Sequence, residues 1–364
     1  MRTSAVLIPL IALVVGVLFH YWPRSCLCHI SQRLDGRVAL VTDGPSFMGS
    51  EITAELARRG ATVLIGCQSK KHFDTVHDKV LRLYGENGER VNLDFVDERI
   101  KNDLTPIKES QVGCAGLKLT HILKYMPLHL NSLKSLKGFA NEVMNVTDRL
   151  DFLINNAAVS HGPYFTTMDD YESTMAVGHL AHYLLTEHLR PLLLKTKPGA
   201  RIIIISSAEH TTGSVGSCHF FLLYLISSIL ILTFQFKEHG FFINYDGFNS
   251  VKAFAQVKLA NVVHGVILAQ KFKGTSVVPV SVHPGYVLPD FGVFQVFMPA
   301  IFGAFFKTPW EAGQSVLYLA LAPKLKPGGY YSNCQLVEPA AEAKDKEIIK
   351  FVRTESDRLI KLKV

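Results

Sequence analysis

The stretch Arg37-Val-Ala-Leu-Val-Thr42, followed by Asp43-Gly-Pro-Ser-Phe-Met-Gly49, decides how this chain folds. An unbroken apolar run suits a strand buried on both faces of a parallel sheet, and the glycine, proline and serine after it turn the chain into a helix. Working outward, Ser50 to Arg59 reads as that helix, Ala61-Thr-Val-Leu-Ile-Gly66 as a second strand and Lys71 to Tyr84 as a second helix. A third strand is expected at Arg90 to Val96, with Asp94 inside it. This alternation predicts an α/β fold with a doubly wound parallel sheet flanked by helices, and ligand binding beyond the C-terminal ends of the strands.

At 364 residues and 48% hydrophobic, the chain exceeds the about 250 to 300 residues that one such domain with appendages needs. The excess begins at the N-terminus. Ala5 to Trp22 carries no Asp, Glu, Lys or Arg, with Arg2 before it and Arg24, Arg33 and Arg37 after it. Roughly 20 residues cross the hydrocarbon of a bilayer, so residues 1–23 read as a membrane anchor of minimal length and 24–36 as a juxtamembrane linker. The basic excess after the span places the following domain in the cytosol, at the endoplasmic reticulum or another endomembrane. Residues 37–340 then form one domain interrupted near 97–132 and 218–240, and 341–364 close the chain. The second interruption, including Cys218 to Phe236, holds no charged residue, and one crossing there would separate the two halves of the domain. In the tail, Ile348, Ile349, Val352, Leu359 and Ile360 among charged residues predict an amphipathic docking helix.

A net charge of +7 raises the question of nucleic acid. The basic residues are dispersed, without an aromatic-interleaved patch, so an anionic membrane lipid surface is the expected partner and nucleic acid is not. The six cysteines lack metal or disulfide spacing and no metal site is expected; Cys26 and Cys28 read as free thiols, with acylation as the alternative. Asn145-Val-Thr147 is a glycosylation sequon that has meaning only outside the cytosol.

Further along stand Leu153-Ile-Asn-Asn-Ala-Ala158, His179-Leu-Ala-His-Tyr-Leu184, Arg201-Ile-Ile-Ile-Ile-Ser-Ser-Ala208, Phe254-Ala-Gln-Val-Lys-Leu-Ala-Asn261, His283-Pro-Gly285 and Phe306-Lys-Thr-Pro309. With the opening strand and turn, these motifs resemble the short-chain dehydrogenase/reductase family, in its retinol-dehydrogenase-like and dehydrogenase/reductase X-linked-like branches. The resemblance covers about Arg37 to Val96 and Leu133 to Tyr331. It implies a Rossmann-type sheet, a dinucleotide cofactor, interconversion of an alcohol and a carbonyl compound, and a homodimer. The apolar stretch Phe291 to Phe306 suits a lid over a lipophilic substrate, with a membrane-facing surface as the alternative.

Carried onto this chain, the resemblance assigns cofactor contacts to Thr42, Gly44, Ser46, Met48, Gly49, Gln68, Asp94, Asn155, Ala157, Lys258, Pro284 and Gly285. The family's glycine-rich turn is altered, because Asp43 and Phe47 take two glycine positions; Asp43 brings negative charge and Phe47 bulk where a phosphate approaches. Beyond the second strand stand Cys67, Gln68, Ser69, Lys70 and Lys71, with no carboxylate to reject a 2′-phosphate, so NADP(H) is favoured over NAD(H). The family's threonine after His-Pro-Gly is Pro289 here.

The catalytic group departs further. The resemblance gives Ser207 the role of orienting the substrate oxygen and Lys258 that of holding the nicotinamide ribose. Phe254 occupies the place of the acid/base tyrosine, and Gly178 that of the asparagine in the proton relay. A phenyl ring transfers no proton and glycine has no side-chain amide, so impaired turnover is expected; a cofactor-binding pseudoenzyme or scaffold is the alternative. Tyr245, His179 and His182 are the candidate substitutes, with packing roles as the ordinary reading of the histidines.

Overall fold

The computed structural model describes residues 25–84, 122–159, 162–211, 241–242, 245–287 and 307–361. Strand β1 (Val38–Thr42) leads through a short loop into helix α1 (Phe47–Arg58), and β2 (Thr62–Cys67) into α2 (Lys70–Tyr84). Then come β3 (Leu123–Pro127), α3 (Leu136–Val146) and β4 (Phe152–Asn155). A π turn over Ala176–Leu180 opens into α4 (Ala181–Lys195). The chain continues through β5 (Arg201–Ile205), α5 (Ser250–Lys271), β6 (Val278–His283), α6 (Pro309–Leu321), the hairpin β7 (Tyr330–Ser332) and β8 (Gln335–Val337), and α7 (Lys346–Lys361).

The strands form one sheet in the order β3-β2-β1-β4-β5-β6-β7-β8, parallel except for the last pair. Side-chain alternation splits the core between its two faces. Leu40, Leu64, Leu153, Ile202 and Ile204 pack with residues of α3, α4, α5 and α7. Val41, Ile65, Ile154, Ile203 and Val280 pack with residues of α1, α2 and α6. Successive connections leave β1 in one direction towards β2 and, after β3, return to its other side as β4. That reversal opens a crevice at the C-terminal ends of β1 and β4, where doubly wound sheets bind their ligands.

Three expectations need correction. The strand beside β2 is Leu123–Pro127, not Arg90–Val96: Val63 pairs with Leu123 and Gly66 with Met126. It comes from within the span 97–132 expected to be foreign to the domain, and Arg90–Val96, Asp94 included, lies outside the described residues. Second, the fold class was expected to include an N-terminal membrane segment. Residues 1–23 lie outside the described residues, and the described helix long and apolar enough to cross a membrane is α5, 78% of whose apolar window is buried in the domain. Length and apolarity there serve a central core helix. Third, Cys26 is not a free thiol but is disulfide-bonded to Cys334, while Cys28 is buried.

The residues before β1 pack rather than trail. The Arg59 guanidinium donates to the carbonyls of Ile30 and Gln32, and the Cys28 N–H donates to Gln314 on α6 at 3.3 Å. The interruption near 218–240 and the stretch Phe291–Phe306 lie outside the described residues. The chain leaves and rejoins the domain at one place on either side of the latter, because Val287 and Lys307 form a bridge.

Candidate active site

At the crevice, Thr42 is the last residue of β1 and its buried hydroxyl is a hub. It accepts the N–H groups of Asn156 at 2.8 Å and Ala157 at 3.1 Å and lies 2.9 Å from Nε2 of His182. Burial lowers the His182 pKa to about 4, so the ring is neutral. Its Nδ1 faces the Gly178 carbonyl at 3.3 Å, which can only accept; Nδ1 therefore carries the proton and Nε2 accepts from Thr42. His182 thus fastens α4 to β1 rather than serving a proton relay. His179, also held neutral by burial, lies 2.9 Å from the Ser356 hydroxyl of α7.

The loop after Thr42 turns with Asp43 and Phe47 at the two positions where the resemblance expects glycine. Asp43 takes the left-handed conformation at φ 51°, which asparagine and aspartate tolerate better than most residues. Phe47 begins α1 and is 50% exposed. Ser46 caps α1 by accepting the Gly49 N–H at 3.2 Å, and its hydroxyl donates to the Asp43 carbonyl at 2.8 Å. At Gly49 a Cβ would lie 2.5 Å from that same carbonyl oxygen, so no other residue fits. Gly44 is similarly closed by Ile65 at 2.6 Å. Asn156, which sequence reasoning passed over for its neighbour Asn155, ties the loop down: its amide nitrogen lies 3.0 Å from the Thr42 carbonyl and 3.0 Å from the Ser46 hydroxyl.

This cradle fits a dinucleotide in backbone geometry and differs from the family pattern in charge. The Asp43 carboxyl is pushed up by burial and drawn down by His72. It also acts on the Cys67 thiol, which burial raises to about 11. Two carboxyls, Asp43 from the first loop and Asp74 from α2, therefore lie within electrostatic reach of the end of β2. Gln68 is exposed there, Lys70 pairs with Asp74, and Met48 is partly buried against the α1 face of the core. Leu128 and His129 follow β3 beside this end of the sheet, the Leu128 N–H donating to the Cys67 carbonyl at 2.9 Å.

The second half of the site is built by β5, α5 and the π turn. Ser207 follows β5 and its hydroxyl donates to the Glu209 carboxylate, a group that sequence reasoning did not single out. His283 accepts the Ala208 N–H at 3.2 Å and steadies that turn. Ser206 donates to the Lys258 carbonyl at 2.7 Å, locking α5 against β5. Lys258 is buried, with its ammonium 3.4 Å from the Ile205 carbonyl and 4.9 Å from the centre of the Phe254 ring. Desolvation lowers its pKa to about 8, partly opposed by Glu209. The face of the Phe254 ring lies within cation–π range of that ammonium.

Gly178 sits in the π turn, a local widening frequent at functional sites. Its missing side chain leaves no hole: a Cβ there would lie 2.7 Å from Cγ1 of Val257, the buried residue next to Lys258. Asn155 is buried beneath the crevice, donating to Thr186 at 3.2 Å while its carbonyl oxygen has no hydrogen-bond partner among the described residues. Pro284 is buried, and Gly285 at φ 109° leaves space that Lys307 fills, its Cδ lying 2.5 Å from where a Cβ would stand. Tyr245 is 73% exposed against Tyr164 and joins none of these groups. Pro289 lies outside the described residues.

Residues 118–220 match the short chain dehydrogenase family. Bovine (Bos taurus) retinol dehydrogenase 12 is 32% identical over 314 residues, covering 85% of this chain and 81% of that protein. Retinol dehydrogenase 13 of Homo sapiens is 28% identical over 374 residues, covering 99% and 96%. Among solved structures, the Pseudomonas aeruginosa RhlG/NADP active-site complex superimposes with a TM-score of 0.53 at 18% identity, covering 84% of this chain and 97% of that one. At that identity the likeness is one of fold.

Proposed function

The chain belongs to the short-chain dehydrogenase family, and from that premise we propose that it binds NADP(H) and acts, with impaired turnover, on a lipophilic alcohol or carbonyl compound at an endomembrane. The observation that carries this reading is the Phe254 ring beside the Lys258 ammonium, 4.9 Å from its centre. Lys258 and Ser207 stand at the positions the resemblance gives them, and Phe254 stands where it expects the proton-transferring phenol. A bound dinucleotide would supply the hydride acceptor or donor. Thr42, Gly49 and Asn156 would present the loop to its phosphates, and Lys258 and Asn155 would face its nicotinamide half. Ser207 would orient the substrate oxygen, with Glu209 holding the hydroxyl proton. Neither group replaces a phenol whose proton a neighbouring ammonium has made mobile.

NADP(H) preference rests on the absence of a carboxylate directly after β2 and on Lys70 and Lys71 nearby; Asp43 weighs against it and narrows the margin. The lipophilic substrate class follows from the relatives named retinol dehydrogenases and the apolar stretch Phe291–Phe306. Titration of the full chain with NADPH and NADH tests the reading. Saturable binding, tighter for NADPH, with slow oxidoreduction of retinoid or other lipophilic aldehydes is the expected result. Binding with no detectable turnover moves the chain to the pseudoenzyme reading, and no binding of either nucleotide removes both.

A further inference from the structure

Cys26 and Cys334 are separated by 308 positions and joined by a disulfide with α-carbons 5.9 Å apart, inside the roughly 4.4 to 6.8 Å that such bonds span. The bond fastens the segment before β1 to the turn between β7 and β8. Asn333 in that turn accepts the Cys26 N–H at 2.7 Å and the Lys307 ammonium at 3.2 Å, so the pairing is set in a built hydrogen-bond network. The remaining described cysteines, Cys28 and Cys67, are buried, leaving no exposed thiol among the described residues. Structural disulfides persist in oxidising compartments and are rare where glutathione keeps thiols reduced.

An independent feature points the same way. Asn145-Val-Thr147 is the only Asn-x-Ser/Thr triplet in the chain, and Asn145 lies exposed on the last turn of α3 with Val146 exposed beside it. A sugar chain there would cover surface that the fold does not use. Arg33 and Arg37, which suggested a cytosolic domain, are accounted for within the domain by ion pairs with Asp35 at 2.5 Å and Asp151 at 2.7 Å.

We propose that the described domain matures on the lumenal side of an endomembrane, where Asn145 carries an N-linked glycan and Cys26 and Cys334 are oxidised to each other. In the first step the Asn145 amide nitrogen bonds to the anomeric carbon of a lipid-pyrophosphate-linked oligosaccharide. The anomeric C–O bond breaks, the lipid pyrophosphate leaves and the amide gives up one proton. In the second, the two thiols lose two protons and two electrons to a protein disulfide of that compartment, which is reduced to a dithiol.

The full chain expressed in glycosylating cells tests this, with mobility read before and after treatment with an N-glycan amidase. The wild type should show one amidase-sensitive step, lost in Asn145→Gln and in Thr147→Ala and retained in Thr147→Ser. Lys273→Asn sets an asparagine two places before Thr275 on an exposed turn and should add a second step. Transfer to the nascent chain precedes folding, so a variant that folds poorly still reports its compartment. Maleimide labelling after denaturation should gain two sites on reduction, and either Cys26→Ser or Cys334→Ser should abolish that gain. No step in the wild type or in Lys273→Asn overturns the lumenal placement. A step only in Lys273→Asn, or one that survives Asn145→Gln, overturns the assignment to Asn145; both cysteines labelling without reduction overturns the disulfide.

Discussion

The loop after β1 and the corner around Gly178 both carry residues other than those the family resemblance leads one to expect, and the two are built in opposite ways. In the loop, Asp43 adopts the left-handed backbone open to a glycine and Phe47 is half exposed, so neither side chain closes the turn. In the corner around Gly178, Val257 occupies the volume beside the glycine and the Phe254 ring lies against the Lys258 ammonium, so both positions are closed by carbon. Binding a phosphate depends chiefly on where backbone N–H groups lie, and several side chains permit that. Moving a proton depends on a particular atom, and no rearrangement of carbon supplies it.

The largest stability effect is expected at Lys258. Its folded pKa of about 8 lies below the 10.5 of an ordinary lysine, so the folded state gives up its proton more readily than the unfolded state. The burial penalty is therefore fully present below pH 8 and fades as pH rises towards 10.5. Lys258→Met should stabilise the protein at pH 7 by up to about 3 kcal/mol, with the gain shrinking by about pH 10. Melting temperatures across that range check it, and an unchanged melting temperature at pH 7 would show that the ammonium is not held at a cost.

Next in size is the contact between Gly178 and Val257. Gly178→Asn alone should destabilise by about 1 to 3 kcal/mol, since the new Cβ meets a buried branched side chain at 2.7 Å. Adding Val257→Ser should recover most of that loss in urea unfolding. Equal stability of the two variants would mean that the corner is not packed over. The smallest effect belongs to the loop: Asp43→Gly relieves the left-handed strain and removes a carboxyl, and should tighten NADPH binding by about 1 kcal/mol. Weaker binding in that variant would mean that Asp43 contributes to the cradle rather than being tolerated by it.

What could be read from the residues alone follows from range. Strands β1 and β2 declare themselves because burial on both faces leaves an apolar run, and Ser207 and Lys258 stand in motifs whose neighbours are local. Strand β3 is hidden: at the sheet edge Leu123 and Met126 are buried and Lys124 and Pro127 exposed with no two-residue period, whereas Arg90–Val96 alternates polar and apolar residues as an edge strand would. Asn155 and Asn156 are adjacent identical residues, and only the pleat reveals that the second one clamps the loop. The Gly178–Val257 contact and the Cys26–Cys334 bond join distant positions, and spacing carries no trace of either.

The proposed loss of the relay is tested most directly by the turnover of the triple variant Phe254→Tyr, Gly178→Asn, Val257→Ser beside the unmodified chain, with NADPH and a retinoid aldehyde. A restored relay should raise kcat by about a hundredfold or more, the lower range of what positioned proton transfer contributes, with Kd for NADPH little changed. An unmodified chain that turns over as fast as the triple variant would contradict it.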